Sequence, residues 1–208
     1  MLSIVLICIV SYGLGSISFA VLTSLAFGLA DPRTYGSGNP GATNVLRSGN
    51  RWAAGLTLLG DGAKGFVAVV LAKYLAGLLG VAQAEQLALL VALAGFFAFL
   101  GHVFPIFLKF KGGKGVATAL GVLLGLDWRV GLATAGTWLL VAIVLRYSSL
   151  AALLAAIGSC VYTFFAFGLS APWFAVVAMT GLILFRHKSN IAKLLAGQEP
   201  RIGKKSAA

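Results

Sequence analysis

Residues 86–108 have the sequence QLALLVALAGFFAFLGHVFPIFL, in which no side chain is Asp, Glu, Lys or Arg. A helix of this length reaches about 34 Å, which is enough to cross the roughly 30 Å hydrocarbon core of a bilayer. The whole chain has the same character, because 60% of its 208 residues are hydrophobic, only 10% are charged, and its mean hydropathy is +0.98. Soluble domains are about one quarter charged, and the alternation typical of membrane β-strands is missing. The sequence therefore predicts an all-α polytopic membrane protein.

Seven apolar spans can be drawn along the chain, at residues 2–29, 53–80, 86–108, 115–127, 129–146, 148–168 and 171–186. The fourth span is short and covers only about 20 Å as a helix, so it either begins below the membrane surface or belongs to a re-entrant segment. The first span lacks the basic region and cleavage pattern of a removable signal, and we expect it to be retained. No repeat or linker divides the sequence, and residues 1–208 are predicted to form a single domain.

Basic residues are distributed unequally between the two sets of loops that seven spans create. One set holds a single basic residue, Arg129. The other set holds thirteen: Arg33, Arg47, Arg51, Lys109, Lys111, Lys114, Arg146, Arg186, Lys188, Lys193, Arg201, Lys204 and Lys205. Because Lys and Arg concentrate in cytoplasmic loops, the N-terminus is predicted outside and the C-terminus in the cytoplasm. The net charge of +11 also suits anionic lipid headgroups, especially where basic and apolar residues interleave over residues 188–195, as in an interfacial helix.

The sequence indicates no metal, no prosthetic group, no nucleic acid and no obligate protein partner. Cys8 and Cys160 lie in apolar stretches, without a CxxC spacing or a cluster of His, so we expect two buried free thiols. The polar loops of the cytoplasmic side contain no pair of Asp or Glu residues. This absence argues against a two-metal or two-carboxylate hydrolase.

Three polar segments interrupt the apolar sequence, and the count of spans places all three on the cytoplasmic side. The first segment, residues 36–47, is GSGNPGATNVLR. A turn between helices needs only two or three residues of this kind. The density of glycine, hydroxyl and amide groups therefore favours a ligand-binding loop, in which Arg47 offers a guanidinium that matches phosphate oxygens. The alternative is a simple polar connector.

The second segment, residues 111–118, is KGGKGVAT and precedes the short fourth span. Unpaired N–H groups at a helix N-terminus bind anions, and Lys114 adds a positive charge. The segment differs from a Walker A loop, because Lys114 is followed by Gly115 where that motif has Ser or Thr. It predicts a phosphate site, and the alternative is that its lysines merely touch lipid phosphates.

The third segment, residues 186–191, is RHKSNI, and it sets His187 among basic residues. A second histidine, His102, lies near the end of the third span, where a hydrogen bond at the helix end is the commoner role. Asp61 and Lys64 share a helix face in the second span and are expected to pair. Charges this deep in a membrane are rare without a role, so a functional part for this pair stays open.

These segments resemble the three motifs of the bacterial acyl-phosphate:glycerol-3-phosphate acyltransferases. Gly101 with His102, Asp61 with Lys64, and the sequence RYSSL at 146–150 occur in matching places, and the likeness extends to about Gly203. The resemblance implies a seven-helix enzyme of phospholipid synthesis in the bacterial inner membrane, with its active site on the cytoplasmic face. It would transfer a fatty acyl group from acyl phosphate to the sn-1 hydroxyl of glycerol 3-phosphate, giving lysophosphatidic acid and phosphate.

The resemblance also implies which residues carry the reaction. The expected catalytic residues are Ser37, Arg47, Lys114, His187 and Asn190. The expected substrate-binding residues are Gly38, Asn39, Thr43, Asn44, His102, Gly112, Gly113, Gly115, Val116 and Ser149. Among them, Ser37, Arg47 and Lys114 would hold the glycerol phosphate. The general base is either His187 or, as we favour, a phosphate group of the substrate, because a mixed anhydride brings much of its own activation.

Two alternatives remain at this point. Within the acyltransferases, acyl-CoA or an acyl carrier protein could replace acyl phosphate as the donor. From another class, a transporter or binding protein for a small anionic solute would use broken helices near the bilayer midplane, often in two related halves. The polar residues of this chain gather on one side instead, and no matching halves are visible.

Overall fold

Ten α-helices and two 3₁₀ turns make up the part of the chain that the computed structural model describes, residues 2–81 and 83–203. The helices are α1 (Leu2–Gly15), α2 (Phe19–Ala26), α3 (Ala42–Val45), α4 (Arg51–Leu78), α5 (Ala84–Val103), α6 (Val116–Leu126), α7 (Trp128–Val144), α8 (Ser148–Phe167), α9 (Ala171–Arg186) and α10 (Lys188–Leu195). The 3₁₀ turns are Leu46–Ser48 and Ile106–Leu108. The all-α prediction is confirmed for these residues, and Lys204 and Lys205 lie outside them.

Within the described part of the chain, four segments are long and apolar enough to cross a membrane: Ile4–Ala26, Arg51–Leu78, Ala84–Leu108 and Ser148–Phe167. Three shorter apolar helices, α6, α7 and α9, occupy the positions of the other predicted spans. The fourth predicted span is indeed short, since α6 has 11 residues. The number of crossings and their orientation stay predictions.

The first predicted span differs from expectation, because its helix is interrupted. Residues 16–18 separate α1 from α2, and the Ser16 hydroxyl donates to the carbonyl of Tyr12 at 2.8 Å. The break frees the carbonyl oxygen of Ile17, which accepts a hydrogen bond from Nζ of Lys64 at 2.7 Å. A buried ammonium thus satisfies a carbonyl that the helix has lost, as a membrane interior requires.

Helices α4, α5 and α6 pack against one another and form the centre of the bundle. Around this centre, α1 packs on α5, α7 lies between α6 and α8, and α9 contacts α5 and α8. Helices α4 and α6 approach closely, since a Cβ atom on Gly121 would collide with the carbonyl of Gly62. The core joins α4, α5, α6 and α9 through Val69, Phe99, Val122, Leu123 and Met179.

The three polar segments lie at helix ends. The first segment runs between α2 and α4 and contains α3, the second connects α5 to α6, and the third spans the junction of α9 with α10. The predicted tail helix is present as α10. Cys8 and Cys160 are free thiols, as predicted, but each is only partly buried.

Candidate active site

The second segment is shaped by its contacts with the end of α5. The N–H of Gly113 donates to the carbonyl of His102 at 3.1 Å. A Cβ on Gly113 would collide with the imidazole of His102, and one on Gly115 would collide with the ring of Phe99. Gly115 also has φ of 89°, a left-handed conformation that glycine adopts without strain. These contacts explain the glycines and place the segment directly at the N-terminus of α6.

Helix α6 begins at Val116, immediately after this loop. The first N–H groups of a helix have no partner within the helix and carry partial positive charge. Gly115 and Val116 are therefore placed to offer backbone donors to an anion, as the sequence predicted.

A chain of hydrogen bonds connects the second segment to the third and to the tail. Nζ of Lys114 donates to Oδ1 of Asn190, whose Nδ2 donates to Oε1 of Glu199 at 2.7 Å. The same carboxylate oxygen accepts from the hydroxyl of Ser149, at the start of α8, at 2.6 Å. Three predicted residues from distant parts of the sequence are thus brought together by one carboxylate.

The site carries an excess of positive charge. Nη2 of Arg186 donates to the carbonyl of Gly112 at 2.8 Å. This contact holds a guanidinium beside residues 111–115, the glycine loop. Burial lowers the pKa of Lys114, and the charges of Arg186, Arg47 and Lys193 lower it further, while Glu199 raises it. An anion that enters would relieve this repulsion among the cations, so the electrostatics favour a negatively charged ligand.

His187 lies at the end of α9, near Lys114, Arg186 and Glu199, and is only 3% exposed. Its Nδ1 lies 2.8 Å from the carbonyl oxygen of Ile183, which fixes the neutral tautomer with the proton on Nδ1. Burial is the main cause that lowers the pKa of His187 to about 4. The imidazole is therefore neutral near pH 7 and offers Nε2 as a hydrogen-bond acceptor.

The first segment is organised around Asn44, which is 2% exposed. Its Oδ1 accepts from the N–H of Ser37 at 3.0 Å and from Nη1 of Arg47 at 3.4 Å. Its Nδ2 donates to the carbonyls of Pro32 at 2.6 Å and Tyr35 at 3.1 Å. Asn44 thus shapes the loop, and its contact with substrate stays a prediction.

The side chains of Ser37, Thr43 and Arg47 are exposed, whereas Asn39 is partly buried and Gly38 is exposed in a left-handed turn. Within residues 2–81 and 83–203, no hydrogen bond joins this segment to the second or third segment. The first and second segments nevertheless lie next to each other, because Pro40 of the first and Gly112 and Gly113 of the second line one small depression beside His102.

Neither Glu199 nor the contact of Arg186 with the glycine loop was predicted from the sequence. Glu199 is the only carboxylate after residue 127 and lies among basic residues in Gly-Gln-Glu-Pro-Arg. A single acidic residue in a basic tail could have been recognised as a candidate, because such a residue commonly pairs with a cation or a hydrogen-bond donor. Its partner Ser149 lies 50 residues away in sequence, so the contact could not be read from spacing.

The family comparison fits this geometry. The chain matches the model of the glycerol-3-phosphate acyltransferase family over residues 5–197, which include all three polar segments. The chain belongs to this family. It is 59% identical over 204 residues to the glycerol-3-phosphate acyltransferase of Herminiimonas arsenicoxydans, with 98% of this chain and 97% of the relative covered. It is 56% identical to that of Ralstonia nicotianae, with 97% and 95% covered.

Solved structures of this family also match. The crystal structure of PlsY (YgiH), an integral membrane glycerol 3-phosphate acyltransferase, in its glycerol 3-phosphate form gives a TM-score of 0.86 at 36% identity, with 97% of this chain and 96% of that chain covered. The lysophosphatidic acid form gives 0.85 at 35%, with the same coverage. The present acyltransferase therefore shares the fold of an integral membrane enzyme across nearly its whole length.

Proposed function

We propose that this acyltransferase moves a fatty acyl group from acyl phosphate to the sn-1 hydroxyl of glycerol 3-phosphate. The products are lysophosphatidic acid and inorganic phosphate. The observation that carries the proposal is the network of Lys114, Asn190, Glu199 and Ser149, which joins the glycine loop to the third segment. It holds Lys114 next to the N-terminus of α6, and Arg186 adds a second cation at Gly112, so the site suits phosphate-bearing substrates.

The leaving phosphate binds at the start of α6. The hydroxyl oxygen of glycerol 3-phosphate attacks the carbonyl carbon of the acyl phosphate, and the bond from that carbon to the bridging phosphate oxygen breaks. The N–H groups of Gly115 and Val116 stabilise the negative charge that the departing phosphate gains. We assign Lys114 to the same phosphate because it adjoins these groups, whereas the family resemblance implied a contact with the glycerol phosphate. Fixed donors of this kind need no reorganisation as the charge develops.

Glycerol 3-phosphate binds between the first segment and the depression at His102. The exposed side chains of Ser37, Thr43 and Arg47 reach the phosphate group, and Asn44 holds the loop that presents them. His187 accepts a hydrogen bond from a substrate hydroxyl at Nε2 and orients it. Positioning two anions against each other is a large part of the rate enhancement for such a reaction.

The proton of the attacking hydroxyl passes to a phosphate oxygen of a substrate. His187 is a weak base, because burial lowers its pKa to about 4, which is far from the value that suits a general base near pH 7. A phosphate monoester, with a second pKa near 6, matches the task better. No metal or cofactor enters this scheme.

The site faces the cytoplasm in this proposal. Seven crossings, with the N-terminus outside and the C-terminus inside, place the three segments together on the side that carries thirteen basic residues. The enzyme is then a single-domain, multi-pass protein of the cytoplasmic membrane, where its soluble substrate and its membrane-bound donor meet.

The test is an assay of purified protein in lipid or detergent. Labelled glycerol 3-phosphate is supplied first with palmitoyl phosphate and then with palmitoyl-CoA, and lysophosphatidic acid is measured. We expect product with palmitoyl phosphate alone. Product with palmitoyl-CoA would contradict acyl phosphate as the specific donor but would support glycerol 3-phosphate as the acceptor. Folded protein that gives no product with either donor would contradict the proposed reaction.

A further inference from the structure

A buried cluster of charged side chains lies directly behind the glycine loop. Asp61 and Lys64 form an ion pair on α4, with 2.8 Å between Oδ1 and Nζ, and both residues are 3% exposed. The same Oδ1 lies 3.5 Å from Nδ1 of His102, which is 7% exposed. Lys64 also donates to the carbonyl of Ile17 at the break between α1 and α2. The cluster therefore ties three helical elements together inside the membrane.

Two further contacts connect this cluster to both ends of the glycine loop. On the near side, the carbonyl of His102 holds the N–H of Gly113, and the imidazole fills the space beside Gly113 that a Cβ would need. On the far side, the hydroxyl of Thr118, in the first turn of α6, donates to the backbone carbonyl of Asp61 at 2.8 Å. The loop thus lies between His102, whose ring faces the carboxylate of Asp61, and Thr118, whose hydroxyl binds the backbone carbonyl of Asp61.

We propose that Asp61, Lys64 and His102 form a positioning cluster that holds the glycine loop in its anion-binding conformation. The carboxylate of Asp61 lies 3.5 Å from Nδ1 of His102 and favours the ring orientation that turns Nδ1 toward this charge. The ring and the carbonyl of His102 then fix Gly113, and the N–H groups at the start of α6 stay aimed at the phosphate. Lys64 neutralises the buried carboxylate, which would otherwise be costly at this depth. The inference rests on the proposed binding of a substrate phosphate to this loop.

Two substitutions of His102 separate this role from simple packing. In His102→Asn, the amide nitrogen occupies nearly the place of Nδ1 and can still donate to Asp61, whereas in His102→Gln the amide reaches the place of Nε2. The probe is inorganic phosphate, a product, measured as a competitive inhibitor of the purified enzyme. We expect the inhibition constant to rise about tenfold in His102→Gln and only about twofold in His102→Asn, where tenfold corresponds to about 1.4 kcal/mol. Equal losses in the two variants would overturn the proposal.

A second pair of variants keeps the test decisive if changes at His102 prevent folding. The double substitution Asp61→Asn with Lys64→Met removes both charges at once, so that neither is left buried alone. The control is Lys73→Met, since Lys73 lies on the same helix and donates to the carbonyls of Gly125 at 2.7 Å and Leu126 at 3.2 Å, at the opposite end of α6.

Both proteins should lose thermal stability, but only the double variant should bind phosphate about tenfold more weakly. Equal inhibition constants in the double variant and the Lys73→Met control would overturn the positioning role and leave the proposed reaction intact. Wild-type enzyme that phosphate does not inhibit would overturn this proposal and would also remove the proposed phosphate site.

Discussion

Replacement of Glu199 tests whether one carboxylate holds the anion site together. Its Oε1 accepts hydrogen bonds from Ser149 at 2.6 Å and from Asn190 at 2.7 Å. Oδ1 of Asn190 in turn accepts a hydrogen bond from Nζ of Lys114. In Glu199→Gln the side chain keeps its length and one oxygen that can accept both bonds, but loses its charge. In Glu199→Ala both donors lose their partner, and Asn190 is free to turn away from Lys114.

The expected loss of kcat/KM follows from the two hydrogen bonds that Glu199 accepts. A hydrogen bond to a charged group contributes about 1.5–3 kcal/mol, and partial exposure of Glu199 places each bond at or below the lower end of that range, because water replaces part of what is lost. We expect Glu199→Ala to cost about 2.5 kcal/mol in kcat/KM, which is about 60-fold, and Glu199→Gln about 1 kcal/mol, which is about fivefold.

The assay measures kcat/KM for glycerol 3-phosphate and for palmitoyl phosphate in detergent, with thermal unfolding recorded for each variant. Glu85→Ala is the matched control, because Glu85 is exposed in the first turn of α5, far along the sequence from the polar segments. Glu199→Ala enzyme with activity within twofold of wild type would refute the reasoning. Equal losses in Glu199→Gln and Glu199→Ala would mean that the charge matters and the positioning does not.

Three further predictions concern the same site. Lys114→Gln should raise the KM for palmitoyl phosphate about tenfold or more, since a charge-assisted contact with phosphate contributes more than 1.4 kcal/mol; an unchanged KM would place the phosphate elsewhere. His187 has a pKa of about 4, below its ordinary value near 6.5, so the stability of its neutral buried form is complete above pH 6.5 and is lost as the pH falls toward 4, by up to about 3 kcal/mol. His187→Gln should therefore flatten the decline of unfolding temperature over that range, and an unchanged decline would contradict the assignment. Gly113→Ala should raise the KM for palmitoyl phosphate at least tenfold, because its Cβ would collide with His102 and displace the loop; Gly181→Ala, at a position with open space on α9, is the control and should leave the KM unchanged.

The helices were largely predictable, because each is marked by long apolar runs and by polar residues at its ends. Helix α6 was expected over residues 115–127 and runs from Val116 to Leu126. Its limits were visible because glycines precede it and because the carboxylate of Asp127, which caps the next helix by accepting from the N–H of Arg129 at 2.8 Å, follows it. Local chemistry defines both boundaries, and local chemistry can be read from sequence.

The break within the first span could not be predicted in the same way. The mean hydropathy of residues 2–29 stays high despite Ser16 and Ser18. Both serines are also compatible with a continuous membrane helix, in which a hydroxyl can donate to a carbonyl of the preceding turn. What makes the break tolerable is Lys64, 47 residues from the Ile17 carbonyl that it satisfies. A distortion stabilised from so far along the chain has no local signature.

The candidate site likewise has features that could be predicted from the sequence and contacts that could not. The glycine loop, Lys114 and the third segment were recognisable because their residue types are unusual in an apolar chain. Their connection was not, because Glu199 contacts Ser149 and Asn190 only once the tail has folded back onto the start of α8. The pairing of Asp61 with Lys64 was predicted from their spacing of three, while the contact with His102 required the packing of α5 against α4.

The described residues of the site do not include a strong general base. Burial keeps His187 neutral, and its Nδ1–H donates to the carbonyl of Ile183. The carboxylate of the network, Glu199, accepts hydrogen bonds from Ser149 and Asn190. What remains is a set of cations and amide donors that can stabilise negative charge, and the proposed proton acceptor is a phosphate oxygen of a substrate. Such a site suits a donor that carries its own good leaving group, and a thioester, whose leaving group is less stabilised by these contacts, would gain far less from it. These contacts support the proposal that acyl phosphate is the donor.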